Sequence, residues 1–397
     1  MDAGFAVYCG IDVGKGEHHA VGLDAAGKRL YDKPLPNDEA KLRAVFEQLA
    51  TQGRLLIVVD QPNTIGALPV TVARACGHQI AYLPGLAMRR IADLYPGQAK
   101  TDARDAFIIA DAARTMPHAL RRVDTGDETL AELAVLVGFD DDLAGEATRT
   151  INRIRGLLTS IHPALERVLG PRVAHSAVLE ILSRFGGPVG ISKAGARKLT
   201  TTATKHAPRM GARLVQDILA ALPQQSVTVP GANAAEIVLP KLAESLKIIQ
   251  QQRNTIAADI ERMLDAHPLS KVLTSMPGIG VRTGARILLE VGDGSAFKTP
   301  GHLAAYAGIA PVTHRSGSSI RGEFPARSGN HQLKRALFLS AFAALHHPAS
   351  RTYYDRKRAE GKKHNAALIC LARRRCDVLF AMLRNGEPYR AEPPAAA

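Results

Sequence analysis

Short apolar segments alternate with helical stretches in the first part of the chain. The segments "AVYCGIDV" and "RLLIVVDQP" predict two buried strands, the second of which stops at Pro62. Residues 64–76 have the pattern of a helix, and "HQIAYLP" that of a further strand. Residues 5–35 are interpreted as one strand, a turn and a second strand. Because strands alternate with helices, we predict a mixed α/β sheet that extends to about Thr115.

The pattern becomes helical after this region. Apolar residues recur at spacings of three and four between Glu128 and Leu169, and a heptad rhythm runs from Lys241 to Leu264. These two stretches could pair as an antiparallel coiled coil, form a dimer seam, or be two ordinary amphipathic helices of one bundle. Residues 170–240 are rich in Gly, Pro, Ala and Thr and give no clear pattern.

The last part of the chain combines helices with a polar loop. Residues 273–293 predict a helix, a tight Gly-rich hairpin and a second helix, and a strongly apolar helix begins at about Gln332. The predicted fold class is therefore α/β followed by a mostly α part. We expect four regions: an α/β domain at 1–125, a helical or coiled-coil region at 126–270, a hairpin and serine-loop domain at 271–345, and a basic helical tail at 346–397.

Charge adds a preference for polyanions. The 397 residues include 51 Lys and Arg against 37 Asp and Glu, which gives a formal net charge of +14. Residues 301–397 hold 16 of these basic and 6 of these acidic residues, so most of the excess lies there. A basic surface favours nucleic acid, although charge alone is weak support. Aromatic residues make up only 5%, so the core must be mainly aliphatic.

Other compositional features exclude several classes of protein. The four cysteines form no CxxC pair, so neither a zinc site nor a disulfide framework is indicated, and a reducing cytoplasm is expected. No apolar run is long enough to span a bilayer, and no leader pattern follows Met1, so we expect no membrane association.

Four carboxylates could meet at one edge of the predicted sheet. Asp12 and Asp60 end two predicted strands, and Asp102 and Asp105 lie three residues apart at the start of a predicted helix. Strand ends converge on an edge where ligands usually bind, and clustered carboxylates suit Mg²⁺ or Mn²⁺. The alternative is that each Asp is a turn, cap or first-turn residue without a functional role.

The sequence "MPGIG" at residues 276–280 fits a helix-hairpin-helix element. Gly278 and Gly280 would let the backbone approach a DNA phosphate, and Arg282 and Arg286 would add charge one helical turn apart. Such contacts position DNA without reading its sequence. The alternative is an ordinary Pro-Gly turn between two helices.

A loop rich in serine and arginine follows, "THRSGSSIRGEFPARSGN" at residues 313–330. Its serines are Ser316, Ser318, Ser319 and Ser328. The basic residues expected to contact nucleic acid in and after the loop are Arg315, Arg321, Arg327, Lys334 and Arg335. A serine hydroxyl becomes a nucleophile only when its proton is removed or its negative charge is stabilised. Arginines can stabilise the negative charge that develops on a phosphorane. Spacing alone selects no single serine.

Taken together, these segments resemble the DEDD-type insertion-sequence transposases, also called bridge recombinases. The resemblance rests at the front on "GIDVGKGEHHAVGLD", "VVDQP" and "AKTDARDAFIIADAAR". At the back it rests on "SMPGIGVRTGARILLEVGD", "YAGIAPVTHRSGSSIRG" and "SGNHQLKRALFLSAFAAL". The residues of these segments, their order and their spacing are highly specific, and the resemblance covers most of the chain.

The resemblance implies a fold and a set of site residues. The N-terminal domain would be RuvC-like, within the ribonuclease H superfamily, and would bind Mg²⁺ through Asp12, Asp60, Asp102 and Asp105. Asp60 stands where the family commonly has Glu, so its reach is one methylene shorter. The nucleophilic serine of the family's "SG" motif would be Ser316, although Ser328 also precedes a glycine.

The resemblance also implies a reaction and its partners. The serine would cleave a DNA strand to form a covalent protein–DNA intermediate, with Mg²⁺ assisting, before strand exchange and religation. A composite site between protomers implies a homodimer or homotetramer, and a structured noncoding guide RNA would pair with donor and target DNA. The expected location is the cytoplasm, in association with the nucleoid.

Three rival functions stay open at this point. One is a Holliday-junction-type endonuclease that cleaves with activated water and does not use a serine. Another is an actin-like kinase, suggested by the "GIDVGK" turn, although no convincing DxGG motif follows it. The third is a nucleic-acid-binding structural protein in which the acidic residues are inert.

Overall fold

The computed structural model describes residues 4–62, 64–96, 101–123, 128–316 and 320–390, apart from a few side chains that include those of 314–316, 320 and 321. The chain divides into two compact units, residues 1–126 and 127–397. Each unit is considered separately below. Among the described residues, every helix is too short or too polar to span a lipid bilayer.

The first unit is built on a six-stranded mixed sheet. Its strands are β1 (Val7–Asp12), β2 (Glu17–Asp24), β3 (Arg29–Pro36), β4 (Leu55–Val59), β5 (Gln79–Tyr82) and β6 (Arg121–Arg122). They are ordered β3-β2-β1-β4-β5-β6; β4 runs parallel to both β1 and β5, and the other neighbours are antiparallel. The predicted mixed α/β sheet is confirmed.

The prediction of only two strands within residues 5–35 was wrong, because three strands form there. The connections are very short, so the apolar pattern gives little sign of where each strand stops. Residues 13–16 join β1 to β2. The next turn is closed by Asp24, whose Oδ1 accepts hydrogen bonds from the backbone N–H groups of Ala26 at 2.9 Å and Lys28 at 2.8 Å.

Helices cover both faces of this sheet. They are α1 (Glu39–Ala50), α2 (Ala67–Ala75), α3 (Gly85–Ala92) and α4 (Asp102–Thr115). The apolar faces of α1 and α2 pack with Cys9, Ile11 and Ile57 in one cluster. Apolar residues of α3 and α4 pack with Leu56 and Val58 in another. Alternate strand residues therefore point to opposite helical layers.

The second unit is almost entirely helical. Its elements are α5 (Glu128–Ile161), α6 (Pro163–Leu169), α7 (Ser176–Phe185), α8 (Pro188–His206), α9 (Gly211–Ala221), α10 (Ala232–Ala266), α11 (Ser270–Thr274), α12 (Val281–Val291), α13 (Pro300–Tyr306), β7 (Val312–Ser316), β8 (Ile320–Phe324), α14 (His331–Ala343), α15 (Pro348–Ala359) and α16 (His364–Asn385). The strands β7 and β8 form an antiparallel hairpin inside the segment predicted as a loop.

The two long helices α5 and α10 pack against each other in antiparallel fashion. Leu133, near the start of α5, shares a core with Leu264, near the end of α10. Ile154, near the end of α5, shares a second core with Leu239, near the start of α10. The two stretches therefore pack antiparallel within one chain, and both also pack against the shorter helices of the unit.

Residues 170–240, which gave no sequence pattern, form α7, α8 and α9. Their Gly and Pro residues lie mainly at helix boundaries, where they do not interrupt hydrogen bonding. The start of α8 shows this: Glu236 on α10 accepts hydrogen bonds from the backbone N–H groups of Gly187 at 2.8 Å and Val189 at 2.7 Å. A distant carboxylate thus caps the helix, which local sequence patterns do not indicate.

Candidate functional site

Two of the predicted carboxylates lie at the same edge of the sheet. The parallel strands β1 and β4 pair with Ile11 opposite Val59, and the next residues are Asp12 and Asp60. Oδ1 of Asp60 accepts a hydrogen bond from the backbone N–H of Val13 at 3.2 Å. The structure therefore brings Asp12 and Asp60 to neighbouring positions at the carboxyl ends of two central strands.

The helix that carries the other two carboxylates rests directly on β1. A β-carbon added to Gly10 would lie 3.0 Å from Cα of Ala110 and closer still to the Ala106 carbonyl oxygen and the Ala110 nitrogen. Only glycine allows this approach of a strand and a helix backbone. Because strand side chains alternate, Asp12 belongs to the face on which Gly10 meets α4.

The first turn of α4 contains both remaining carboxylates. Thr101 caps the helix by accepting a hydrogen bond from the N–H of Arg104 at 3.3 Å, and Asp102 and Asp105 follow. Asp102 is exposed and Asp105 is half-buried. At the other end of α4, Arg114 lies beside Gly27. Gly27 follows the last residue of β2, and this end of β2 is the one farther from Asp12. The helix therefore starts at the end of the sheet that carries Asp12.

The side chains do not form a ready-made metal cage in this conformation. Across the described ranges, which include all four aspartates, no group of three or more His, Cys, Asp or Glu side chains has a metal-binding arrangement. The donors are hard carboxylate oxygens, the type that Mg²⁺ and Mn²⁺ prefer. Donor chemistry and backbone placement fit a divalent ion, although no three of these described side chains are grouped as a metal site.

Burial sets the electrostatics of this edge. It raises the pKa of Asp60, and the hydrogen bond from the Val13 N–H acts in the opposite direction. Burial lowers the pKa of His18, whose Nδ1 accepts a hydrogen bond from the N–H of Gly14 at 3.1 Å. His18 thus holds the turn that follows Asp12. Sequence reasoning missed this residue, and the adjacent His18 and His19 in an apolar strand were the available signal.

The "MPGIG" turn lies between α11 and α12, but its two predicted glycines differ in role. Gly278 has φ 83°, and a β-carbon there would lie 2.5 Å from the Ser340 carbonyl oxygen and 2.7 Å from the Ala344 nitrogen. Its close approach is therefore to the end of α14. Gly280 is exposed, and a β-carbon there would meet no atom within 4 Å. Of the two, Gly280 is the glycine open to a ligand.

A buried arginine supports this turn from α16. Arg375 donates hydrogen bonds through Nη2 to the Pro277 carbonyl at 2.6 Å and to Oγ of Ser340 at 2.7 Å. Burial lowers its pKa to about 10, so it stays charged at neutral pH. Arg375 fixes the turn against α14, a role that the sequence did not indicate.

The two arginines predicted to contact phosphate after the turn are engaged with protein groups. Arg282 Nη2 donates to the Arg253 carbonyl at 2.5 Å, and its Nε lies 3.1 Å from Oδ2 of Asp140. Arg286 Nη2 donates to Oδ2 of Asp141 at 2.5 Å. Both therefore link α12 to the first half of α5 in this conformation.

The serine-rich segment is only partly described. Ser316 ends β7 with its backbone paired to Ile320, but its side chain and those of Arg315 and Arg321 lie outside the described parts, as do Ser318 and Ser319. Ser328 and Arg327 are exposed, as is Arg335 on α14. Lys334 donates through Nζ to the Ala326 carbonyl at 3.2 Å.

A polar network fixes the end of this segment. Asn330 caps α14 by accepting from the N–H of Leu333 at 2.9 Å, and its Nδ2 donates to Glu290 at 2.6 Å and to the Tyr306 hydroxyl at 2.9 Å. Three helices, α12, α13 and α14, are joined through one amide. Sequence reasoning did not find this network, since its members are far apart along the chain.

Comparison with known proteins places the chain in a family. A transposase family model, the DEDD transposases of the IS110 type, matches residues 9–163, and a second, described as "Transposase IS116/IS110/IS902 family", matches residues 270–355. The chain is 61% identical to an uncharacterized protein of insertion element IS110 from Streptomyces coelicolor, over 98% of this chain and 96% of the relative.

Further relatives agree with these matches. A protein of insertion element IS900 from Mycobacterium paratuberculosis is 35% identical over 98% of this chain and 99% of its own length. A pilin gene-inverting protein from Moraxella bovis is 34% identical over 30% of this chain and 38% of its own length. These similarities leave no support for the actin-like kinase alternative. The chain belongs to the IS110 family of insertion-sequence transposases.

Proposed function

We propose that this transposase cuts and rejoins DNA with two chemical elements: a divalent-metal site formed by Asp12, Asp60, Asp102 and Asp105, and a nucleophilic serine, Ser316. The observation that carries the first element is the placement of all four carboxylates at one end of the sheet, with α4 held against β1 at Gly10. This arrangement is also the one expected of a RuvC-like, ribonuclease H-type domain.

The carboxylates would hold Mg²⁺ or Mn²⁺ next to the scissile phosphate. When bound, such an ion polarises the phosphoryl oxygen and neutralises charge that develops on it. The chain's own part is to position the ligands: the Val13 N–H orients Asp60, and His18 holds the turn after Asp12. Asp102 and Asp105 approach from the first turn of α4.

Ser316 would make the covalent step. The Ser316 hydroxyl gives up its proton as its Oγ bonds to phosphorus, the bond from phosphorus to the leaving deoxyribose oxygen breaks, and that oxygen takes up a proton. Attack by the hydroxyl of a second DNA end on the seryl phosphodiester reverses these changes and rejoins the strand. The "SG" context of the family resemblance favours Ser316, and Ser328 is the other candidate.

Nucleic acid would be held by the basic residues of the second unit. Arg327 and Arg335 are exposed, Gly280 leaves the start of α12 accessible, and residues 301–397 carry most of the excess positive charge. The proposal also includes a guide RNA, which the family resemblance implies. It further includes a dimer or tetramer in which the carboxylates of one protomer and the serine of another form the site.

A hydrolytic junction endonuclease is the second candidate. It is favoured by the fact that all four carboxylates belong to one compact unit, residues 1–126, which by itself could direct an activated water at phosphorus. In that case the second unit would bind nucleic acid and Ser316 would have no chemical role.

One experiment separates these functions. The protein is incubated with element-end DNA and its flanking transcript, with and without Mg²⁺, and denatured samples are examined for a protein–DNA adduct. We expect a Mg²⁺-dependent adduct that disappears in Ser316→Ala and persists in Ser328→Ala. The exposed Ser160 on α5 provides a matched control, Ser160→Ala, which should behave like the wild type.

Two results would contradict the proposal. Undiminished strand cleavage by Ser316→Ala would favour the hydrolytic endonuclease. Recombination that survives both Asp102→Asn and Asp105→Asn would remove the catalytic role of the carboxylates.

A further inference from the structure

A cluster of arginines lines a small cleft in the second unit, between α5, α10, α12 and α14. The cleft has a volume of about 90 Å³. We call it the arginine cleft and define it by four arginines and two aspartates: Arg253, Arg282, Arg286, Arg335, Asp140 and Asp141. Four guanidinium groups face two carboxylates, and Glu290 at 3.4 Å from Arg286 adds a third. The cleft therefore keeps a surplus positive charge.

The two aspartates differ in how firmly they are held. The Asp140 side chain is only 7% exposed and accepts two hydrogen bonds from Arg253, at 3.0 and 3.1 Å, while Nε of Arg282 lies 3.1 Å away. A carboxylate so buried and so completely paired is a fixed part of the packing between α5, α10 and α12.

Asp141 is the exchangeable member. Its side chain is 30% exposed, and it is shared between Arg286 at 2.5 Å and Arg335 at 3.9 Å. Arg335 is 57% exposed and therefore reaches solvent from the same cleft. Guanidinium groups bind carboxylate and phosphate oxygens with the same geometry, so a phosphate can take the place of this carboxylate.

We propose that the arginine cleft binds one phosphodiester group of DNA, and that Asp141 is its intramolecular competitor. In the conformation described, Asp141 occupies Arg286 and weakly engages Arg335. DNA displaces it and takes both guanidinium groups. This inference rests on the proposed function only in that the protein must bind DNA; it does not depend on how the strand is cut.

The proposal is tested with the Asp141→Asn variant, which removes the competing charge and keeps the shape. Binding of element-end duplex DNA to the full-length protein is followed by fluorescence anisotropy, without Mg²⁺, over a series of salt concentrations. We expect Asp141→Asn to bind about fivefold more tightly, as the loss of a partly exposed ion pair of about 1 kcal/mol allows. Arg335→Ala should weaken binding and lower the salt slope by about one phosphate contact.

The control is Asp259→Asn on α10. Asp259 also pairs with an arginine, Arg262 at 2.6 Å, and its replacement changes the net charge by the same amount. We expect its DNA affinity to stay within twofold of the wild type, or about 0.4 kcal/mol. The double variant Asp141→Asn, Arg335→Ala should lose most of the gain of Asp141→Asn, because the gain needs the freed cation.

Several outcomes would overturn the inference. One is a lower melting temperature of Asp141→Asn with unchanged DNA affinity, which would make Asp141 a structural ion pair only. Another is an equal increase in DNA affinity for Asp259→Asn, which would show that the increase for Asp141→Asn comes from the change in net charge alone. The inference would also be refuted if Asp141→Asn bound RNA of the same sequence more tightly than the wild type does but bound DNA with unchanged affinity. Failure of the adduct assay would contradict the proposed function while leaving this binding result intact.

Discussion

The substitution Gly10→Ala tests the contact that positions the candidate metal site. The new β-carbon would lie 3.0 Å from Cα of Ala110, whereas ordinary contact begins at 3.4 Å, so this atom alone requires a shift of 3.4 − 3.0 = 0.4 Å. The Ala106 carbonyl oxygen and the Ala110 nitrogen are closer still and require a larger movement. All three are backbone atoms, so no side-chain rotation relieves the clash and α4 itself must move.

The energetic and functional consequences follow from this displacement. Overpacking of a well-packed core costs about 1–3 kcal/mol. Because α4 carries Asp102 and Asp105 to the end of the sheet that holds Asp12, its displacement also separates the carboxylates. A misplacement of about 1 Å at a reacting centre costs about 100-fold in rate. We therefore expect Gly10→Ala to lose more activity than its stability alone explains.

Two measurements on the full-length chain check this prediction: urea unfolding followed by circular dichroism, and the initial rate of Mg²⁺-dependent cleavage of element-end DNA at a temperature where the variant is folded. Gly85→Ala is the control, because Gly85 is exposed at the start of α3 and a β-carbon there meets no atom within 4 Å. Its stability should change by less than about 0.5 kcal/mol. Wild-type stability and cleavage in Gly10→Ala would refute the placement of α4 on β1.

Two further predictions concern ionisable groups away from this contact. Burial raises the pKa of Glu180, but hydrogen bonds and charge from Lys247 and Arg184 outweigh it, so the net pKa is below 4.5. Because the folded pKa is lowered, the ion pairs stabilise the protein above pH 4.5 and this contribution is lost as pH falls through the folded pKa. Glu180→Gln should lower the free energy of unfolding by about 1–2 kcal/mol at pH 7. Urea unfolding at lower pH should show a smaller difference between the variant and the wild type. A difference that does not change with pH would contradict the role given to the Glu180 ion pairs. Burial raises the pKa of Cys9 to about 12, whereas Cys76 is partly exposed. After brief iodoacetamide treatment, mass spectrometry should therefore find Cys76 modified and Cys9 intact. Rapid modification of Cys9 in the native protein would contradict its burial.

Periodicity predicted those elements whose apolar pattern is uninterrupted. The strand ending at Val59 and the helix near Gln332 were found this way, because burial of one face or of a whole strand leaves a local mark on the sequence. The β7–β8 hairpin was missed, since its strands are short and rich in Arg, Ser and Gly. The helices between residues 170 and 240 were missed for another reason: their starts depend on partners such as Glu236, which is remote in sequence.

The candidate site was predictable only in part, for a similar reason. Residue type and strand position were enough to select Asp12 and Asp60, because both end apolar runs. The role of Gly10 depends on the backbone of α4, about a hundred residues later, and no local pattern reports such a contact. Arg282 and Arg286 appeared to be free cations in the sequence, and only the packing of α5 against α12 shows that Asp140 and Asp141 already occupy them.

The position of Asp102 and Asp105 explains how two like charges are tolerated before any cation binds. Residues three apart on a helix are neighbours and repel, but both lie in the first turn of α4, where the unpaired N–H groups and the helix dipole favour negative charge. Each dipole interaction is worth about 0.3–1 kcal/mol, comparable with the repulsion between the pair. The helix start therefore supports these two carboxylates by itself. Asp60, which would join them, is less well supported, because burial raises its pKa more than its hydrogen bonds, such as that from the Val13 N–H, lower it. A divalent ion would supply the missing stabilisation, so we expect the four carboxylates to close into one site only as the ion binds.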